Sequence, residues 1–147
     1  MRILKCNLLI LFLLCMNFCV AQKNISGIWE GKLVQYEGAV WTDYYFKINI
    51  SQKNGRLLGL CSVIVEKEFA SMEFTGKILN NKLHLEEKTL LRHSERSDFE
   101  WCLKVIDLNY FVKEKIEHLE GDWTGKTLNG VTCIPGKIFL KRGSERV

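Results

Sequence analysis

Hydrophobic and polar residues alternate with a period of two along most of the chain. The pattern is clearest at residues 44–51, where Tyr44, Phe46, Ile48 and Ile50 alternate with Tyr45, Lys47, Asn49 and Ser51. That period predicts a strand with one buried and one wet face. Asn54-Gly55 supplies a turn, and the next run places Leu57, Gly59, Cys61, Val63 and Val65 on one side of a second strand. Leu58, Leu60 and Ile64 on its other side imply partial cover there too. Met72, Phe74, Gly76 and Ile78 share the following face. Asn80-Asn81, two residues that tolerate positive φ, then lead by a tight hairpin into a strand carrying Leu83 and Leu85. Residues 88–98 are charged and read as a long surface loop. The alternation resumes at Phe99, with Trp101, Leu103 and Val105 set against Cys102 and Lys104, and residues 115–126 and 137–142 complete the set. With residues 25–35 counted first, this makes about eight strands, and no long segment carries a helical period. The chain reads as all-β. Hairpins taken in sequence order and closed on themselves remove exposed strand edges, which predicts a single antiparallel up-and-down β-barrel of about eight strands. A two-sheet β-sandwich is the alternative.

One device recurs within those strands. Trp29-Glu30-Gly31-Lys32, Phe74-Thr75-Gly76-Lys77 and Trp123-Thr124-Gly125-Lys126 share an aromatic-x-Gly-Lys pattern. On a strand, Gly27, Trp29 and Gly31 fall on one face, as do Gly121, Trp123 and Gly125. Each indole is then flanked by missing side chains, which leaves room for a large ring and for a sharp bend. The T-G-K-x-L-N stretches from Thr75 and from Thr124 look like two versions of one hairpin, and convergent turn chemistry explains them equally well.

The first 21 residues change the picture of what folds. Arg2 and Lys5 precede an apolar run that ends at Cys19-Val20-Ala21, the layout of a signal peptide with a cleavage site before Gln22. An uncleaved anchor and a lipid-anchored Cys19 are the alternatives. Removal of those 21 of the 147 residues leaves 126, one domain at residues 22–147 with its last few residues loose. Loss of Arg2 and Lys5 lowers the formal charge from +4 to +2, which argues neither for nucleic acid nor for a membrane surface after cleavage. The expected location is secreted or periplasmic.

Gly27-Ile28-Trp29, opening the first strand, resembles the G-x-W motif of the calycins, the lipocalin, avidin and fatty-acid-binding type of small barrel. In lipocalins a basic residue near the end of the last strand packs across that tryptophan, and the resemblance puts Arg142 in that role. Thr42-Asp43-Tyr44 looks like the second lipocalin motif but follows the first tryptophan far too soon. Gly31-Lys32-Leu33-Val34 offers none of the polar ligand contacts of avidin-like proteins, so biotin binding is not implied. The resemblance implies a cup-shaped interior, and fold alone does not fix function.

Local signatures of catalysis are absent: the chain has no G-x-S-x-G, HExxH, P-loop or dinucleotide glycine motif. His118, Glu120 and Asp122 alternate on one face, but Leu119, Gly121 and Trp123 look like the core side, so the trio reads as solvated rather than metal-binding. His84 and Glu86 repeat that arrangement, and His93 has no recognisable partner. Glu87, continuing the Leu83 and Leu85 face, is the best candidate for an inward carboxylate. A strand end emerging into water is the favoured reading of it, because a lone buried carboxylate is costly. Asn24-Ile25-Ser26 and Asn49-Ile50-Ser51 match the glycosylation sequon, which matters only in a host that glycosylates.

Aromatic residues are the strongest hint of binding. Trp41, Thr42, Asp43 and Tyr45 cluster in the first long connection, where aromatics beside polar groups suit a barrel mouth. Trp41, Tyr45 and Trp101 are therefore the expected contacts of a small apolar or amphipathic ligand in a binding module without catalytic residues, metal or cofactor. The competing class is an extracellular protein-interaction module with a filled barrel, with an enzyme third. An interior cavity of about 300 Å³ or more favours the first class, a filled interior with an exposed aromatic patch the second, and converging buried carboxylates the third.

Cysteine usage adds one covalent expectation. Cys6, Cys15 and Cys19 leave with the signal, and Cys61, Cys102 and Cys133 remain in a chain bound for an oxidising compartment. Cys61 shares a face with Leu57, Val63 and Val65, the pattern of an inert buried thiol. Cys102 is expected on the outer face of its strand, where the long connection carrying Cys133 folds back over it. A Cys102–Cys133 disulfide follows, with a Cys61–Cys102 pairing and three free thiols as alternatives.

Overall fold

A computed structural model describes residues 23–95 and 98–143. The expected signal peptide at residues 1–21 and the tail beyond Gly143 lie outside the described residues. Eight strands run in order: β1 Gly27–Gln35, β2 Asp43–Lys53, β3 Arg56–Val65, β4 Glu68–Leu79, β5 Lys82–His93, β6 Cys102–Lys113, β7 Ile116–Thr127 and β8 Gly136–Arg142. Each pairs antiparallel with the next, and β1 pairs with β8 to close the barrel. The architecture is thus the single up-and-down barrel, not the sandwich. No helix occurs among the described residues.

Turn chemistry sets the hairpins at one end. Asn54-Gly55 has φ of 51° and 75°, and Asn80-Asn81 has 50° and 62°, the left-handed pair whose twist matches that of a two-residue hairpin. Glu114-Lys115 adopts the same conformation at 52° and 66° without an asparagine or glycine to ease it. The opposite end carries the longer connections between β1 and β2, β5 and β6, and β7 and β8.

Alternation puts Trp29, Phe46, Ile48, Leu57, Met72, Phe74, Leu85, Ile106, Leu108, Leu119 and Leu140 into one interior core, all at most 1 % exposed. The glycines beside the indoles sit where the backbone of the neighbouring strand comes close. A Cβ at Gly31 would lie 2.1 Å from the Phe139 carbonyl oxygen, and one at Gly121 would lie 1.9 Å from that of Asp107. They let neighbouring backbones approach more closely than a side chain would allow.

Two expectations along β5 and β6 are corrected. Residues 88–93 are strand rather than loop. Two extra residues, Lys88 and Leu91, have no partner on β4, and these bulges erase the alternation that would have revealed the strand. The facing of β6 is the reverse of that expected: Lys104, Ile106 and Leu108 point inward and Val105 points out. A lysine at an interior position had disguised the phase. β5 and β6 pair only from Lys82↔Asn109 to Glu86↔Val105, so the two strands part toward the end with the long connections.

Candidate functional site

The end with the short hairpins is closed. Ile25, fully buried, plugs it, and the Trp29 indole N–H donates to the Ile25 carbonyl at 2.9 Å. The Arg142 guanidinium lies 4.3 Å from the centre of the Trp29 ring. Its Nη1 donates to the Ser26 carbonyl at 2.8 Å, and its Nε donates to Glu117. Tyr110 donates to Glu117 at 2.7 Å, and Lys23 lies 3.0 Å from the same carboxylate. The Arg142 hydrogen bond, with those from Tyr110 and Lys23, holds the Glu117 carboxyl down to about 2, against the opposing effect of burial. Gly27, at φ 122°, passes beside Arg142, whose Nη1 would lie 3.2 Å from a Cβ there.

The other end is open. A cavity of about 240 Å³ enters the barrel there, with Leu33, Val63, Lys104 and Trp123 among its inner walls. Its rim is a chain of edge-to-face aromatic rings. Trp41 lies 6.4 Å from Tyr44 and 5.2 Å from Phe99, and Phe99 lies 5.0 Å from Trp101. Indole N–H groups tether the two tryptophans: Trp41 donates to Glu66 at 3.1 Å and Trp101 to the Ser94 carbonyl at 3.3 Å. Tyr44 donates to Gln35, and burial pushes its hydroxyl up to about 12, so it stays a neutral donor.

Trp41 and Trp101 therefore line this cavity, and Tyr45 does not. Tyr45 points outward from β2 and donates to Glu30 at 2.8 Å, while its neighbour Tyr44 turns inward. The period of two had already assigned those faces. Trp123 is also at the cavity, its indole donating to the Val34 carbonyl at 3.1 Å.

At the inner end lies a buried ion pair that residue-by-residue reading missed. Glu87 does not emerge into water: its side chain has no exposed surface and is 2.9 Å from the Nζ of Lys104, itself 4 % exposed. Glu87 Oε2 also accepts the Lys104 backbone N–H at 2.8 Å, replacing a ladder bond where β5 and β6 part. Lys104 Nζ donates further to the Cys102 carbonyl at 3.2 Å and lies 5.7 Å and 6.0 Å from the Phe46 and Trp123 ring centres. The other Glu87 oxygen, Oε1, is buried and meets no nitrogen or oxygen partner among the described residues, and the Cys61 thiol lies beside the carboxylate. Burial, and then the Glu87 charge, push the Cys61 thiol well up, so this free cysteine is inert in the folded state.

Cys102 and Cys133 are joined, 31 residues apart in sequence. Cys102 shares the inward phase of Lys104 and lines the cavity, so the bridge straps the last connection across the mouth rather than over the outer wall. Such a bond suits an oxidising, extracellular or periplasmic environment. A second depression, of about 440 Å³, lies on the far side of Phe99 and Trp101 against Leu90 and Leu128.

The remaining candidates lie on the outer wall. His118 stacks on Phe111 at 5.1 Å and is 3.5 Å from Glu120, while Asp122 instead engages Lys137 at 2.8 Å. His84 contacts Asp107 at 2.7 Å, a carboxylate that raises its pKa. Among the described residues no group of three or more histidine, cysteine, aspartate or glutamate side chains is placed to hold a metal ion. Comparison with protein-family profiles, with curated proteins and with solved structures finds no match to this chain.

Proposed function

We propose that this chain is a secreted or periplasmic binding module of calycin-like architecture that takes a compact apolar or amphipathic ligand at the open end of its barrel. The observation that carries this reading is the cavity of about 240 Å³, rimmed by Trp41, Tyr44, Phe99 and Trp101 and ending at Lys104. Its volume falls short of the roughly 300 Å³ expected of the ligand-binding class, which restricts the reading to an occupant smaller than a drug-sized ligand. A cavity of about 150 Å³ accepts benzene, so this one suits one or two fused rings or a short branched chain. The one buried carboxylate among the described residues, Glu87, is paired with Lys104.

A second reading, as a protein-interaction module, is supported by the outer wall of β2 to β4. Tyr45, Ile64 and Phe69 form a cross-strand row beside Leu58 and Leu60, each more than 40 % exposed. Native mass spectrometry of the protein purified from its own host distinguishes the two. The first reading expects a small-molecule adduct that is lost when Val63→Trp fills the cavity. A protein partner that persists in Val63→Trp and is lost on Ile64→Lys would replace it with the second.

A further inference from the structure

Among the described residues, Lys104 is the one charged side chain that is both buried and on the wall of the mouth cavity. An ammonium has three N–H donors. Two are used, by Glu87 Oε2 at 2.9 Å and by the Cys102 carbonyl at 3.2 Å, and among the described residues no further acceptor engages the third, with Lys104 on the cavity wall and the Phe46 and Trp123 ring centres 5.7 Å and 6.0 Å from Nζ. The charge of Lys104 is already matched by Glu87, so the inner end of the cavity offers a hydrogen-bond donor without a net charge. An anionic ligand headgroup there would place a second negative charge near the dry Glu87 carboxylate, which is costly in a low dielectric. A neutral oxygen acceptor meets no such opposition, and a hydrogen bond to a charged donor is stronger than one to a neutral donor.

Building on the proposed binding role, we infer that the cavity selects uncharged, compact ring ligands bearing a carbonyl or hydroxyl oxygen, held by the third N–H of Lys104. Aromatic edges at the rim grip the ring, and Lys104 fixes which end enters first. A pure hydrocarbon of the same shape fills the space but leaves that donor unused. A carboxylate of the same frame pairs with Lys104 only in competition with Glu87.

Three probes on one ring frame test this: indane, 1-indanone and indane-1-carboxylate, titrated into the full disulfide-bonded protein by calorimetry. The selection predicts that 1-indanone binds about tenfold or more tighter than indane, and that the carboxylate binds more weakly than the ketone. The double variant Glu87→Gln/Lys104→Met removes both charges together and keeps an amide acceptor for the Lys104 backbone N–H. In it, the preference for ketone over indane, read as a ratio within the same variant, is expected to fall to about twofold or less. If the variant fails to fold, comparing indanone with its exocyclic-methylene analogue on the wild-type protein isolates the same oxygen. Equal binding of ketone and hydrocarbon, a preference that survives in the double variant, or tightest binding by the carboxylate overturns the selection while leaving the binding module standing. Absence of binding by all three overturns both.

Discussion

Lys104→Met on its own is predicted to destabilise the barrel far more than the double replacement with Glu87→Gln. The two charged groups are 2.9 Å apart with side chains 4 % and 0 % exposed, so neither retains appreciable hydration. Removing the ammonium strands the Glu87 carboxylate, left with the Lys104 backbone N–H and the weak thiol donor of Cys61. Breaking a buried pair in this way costs about 3–5 kcal/mol, whereas replacing both partners with neutral groups is often close to neutral. The single variant should therefore lose about 3–5 kcal/mol and the double variant about 1 kcal/mol or less. The coupling between the sites is the sum of the two single losses less the double loss, hence at least about 2–4 kcal/mol and larger by whatever Glu87→Gln alone costs. Urea unfolding followed by tryptophan fluorescence reads this directly. With a urea slope of about 2 kcal/mol/M, the midpoint of the Lys104→Met variant should fall by about 2 M. A loss below about 1 kcal/mol in the single variant, or a double variant as unstable as the single, would show that water reaches the pair and refute the argument.

Glu117→Gln should cost about 1–3 kcal/mol at pH 7 by releasing Arg142 and Tyr110. Because the folded carboxyl is held near 2, below its ordinary value of 4.5, that contribution is complete above about pH 5 and fades as pH falls toward 2. Wild type and variant should thus converge in denaturant melts at low pH, and a constant gap would contradict the assignment. Replacing Glu114-Lys115 by Asn-Gly removes two strained left-handed residues and should raise stability by about 1–2 kcal/mol, readable as an increase in Tm. Cys102→Ser/Cys133→Ser opens a 31-residue span and should cost about 3–4 kcal/mol. In the intact folded protein Cys61 should resist alkylation until denaturant is added, and rapid labelling without it would place the thiol outside the core.

The strands from β1 to β4 were legible because nearly every inward position is apolar and two of the turns carry asparagine or glycine. The same logic failed on β5 and β6 for physical reasons. Bulges at Lys88 and Leu91 shift the period, and a reader expecting strict alternation takes residues 88–98 for loop. Glu87 and Lys104 each look wrong for a core when taken alone. Only their proximity makes burial tolerable, and 17 residues of sequence separate them. Inverting β6 followed from misreading Lys104, and it carried Cys102 to the wrong side of the wall while leaving its partner correct. Tyr45 belongs to an aromatic cluster in the sequence, but alternation along β2 puts it on the outer face, where the structure finds it. Phe99 and Tyr44, which complete the rim, had a signal available: Tyr44 lies on the inward phase of β2, and Phe99 is two residues from Trp101.

The central claim, that the mouth of this barrel receives a compact ring ligand, is tested most directly by amide chemical-shift mapping during titration with 1-indanone. The account predicts shifts at Leu33, Trp41, Tyr44, Phe99, Lys104 and Trp123, which surround the cavity, and none at Ile25, Gly27 or Arg142 at the closed end. Shifts confined to Leu58, Leu60, Ile64 and Phe69 on the outer wall, or no shifts at millimolar probe, would contradict it.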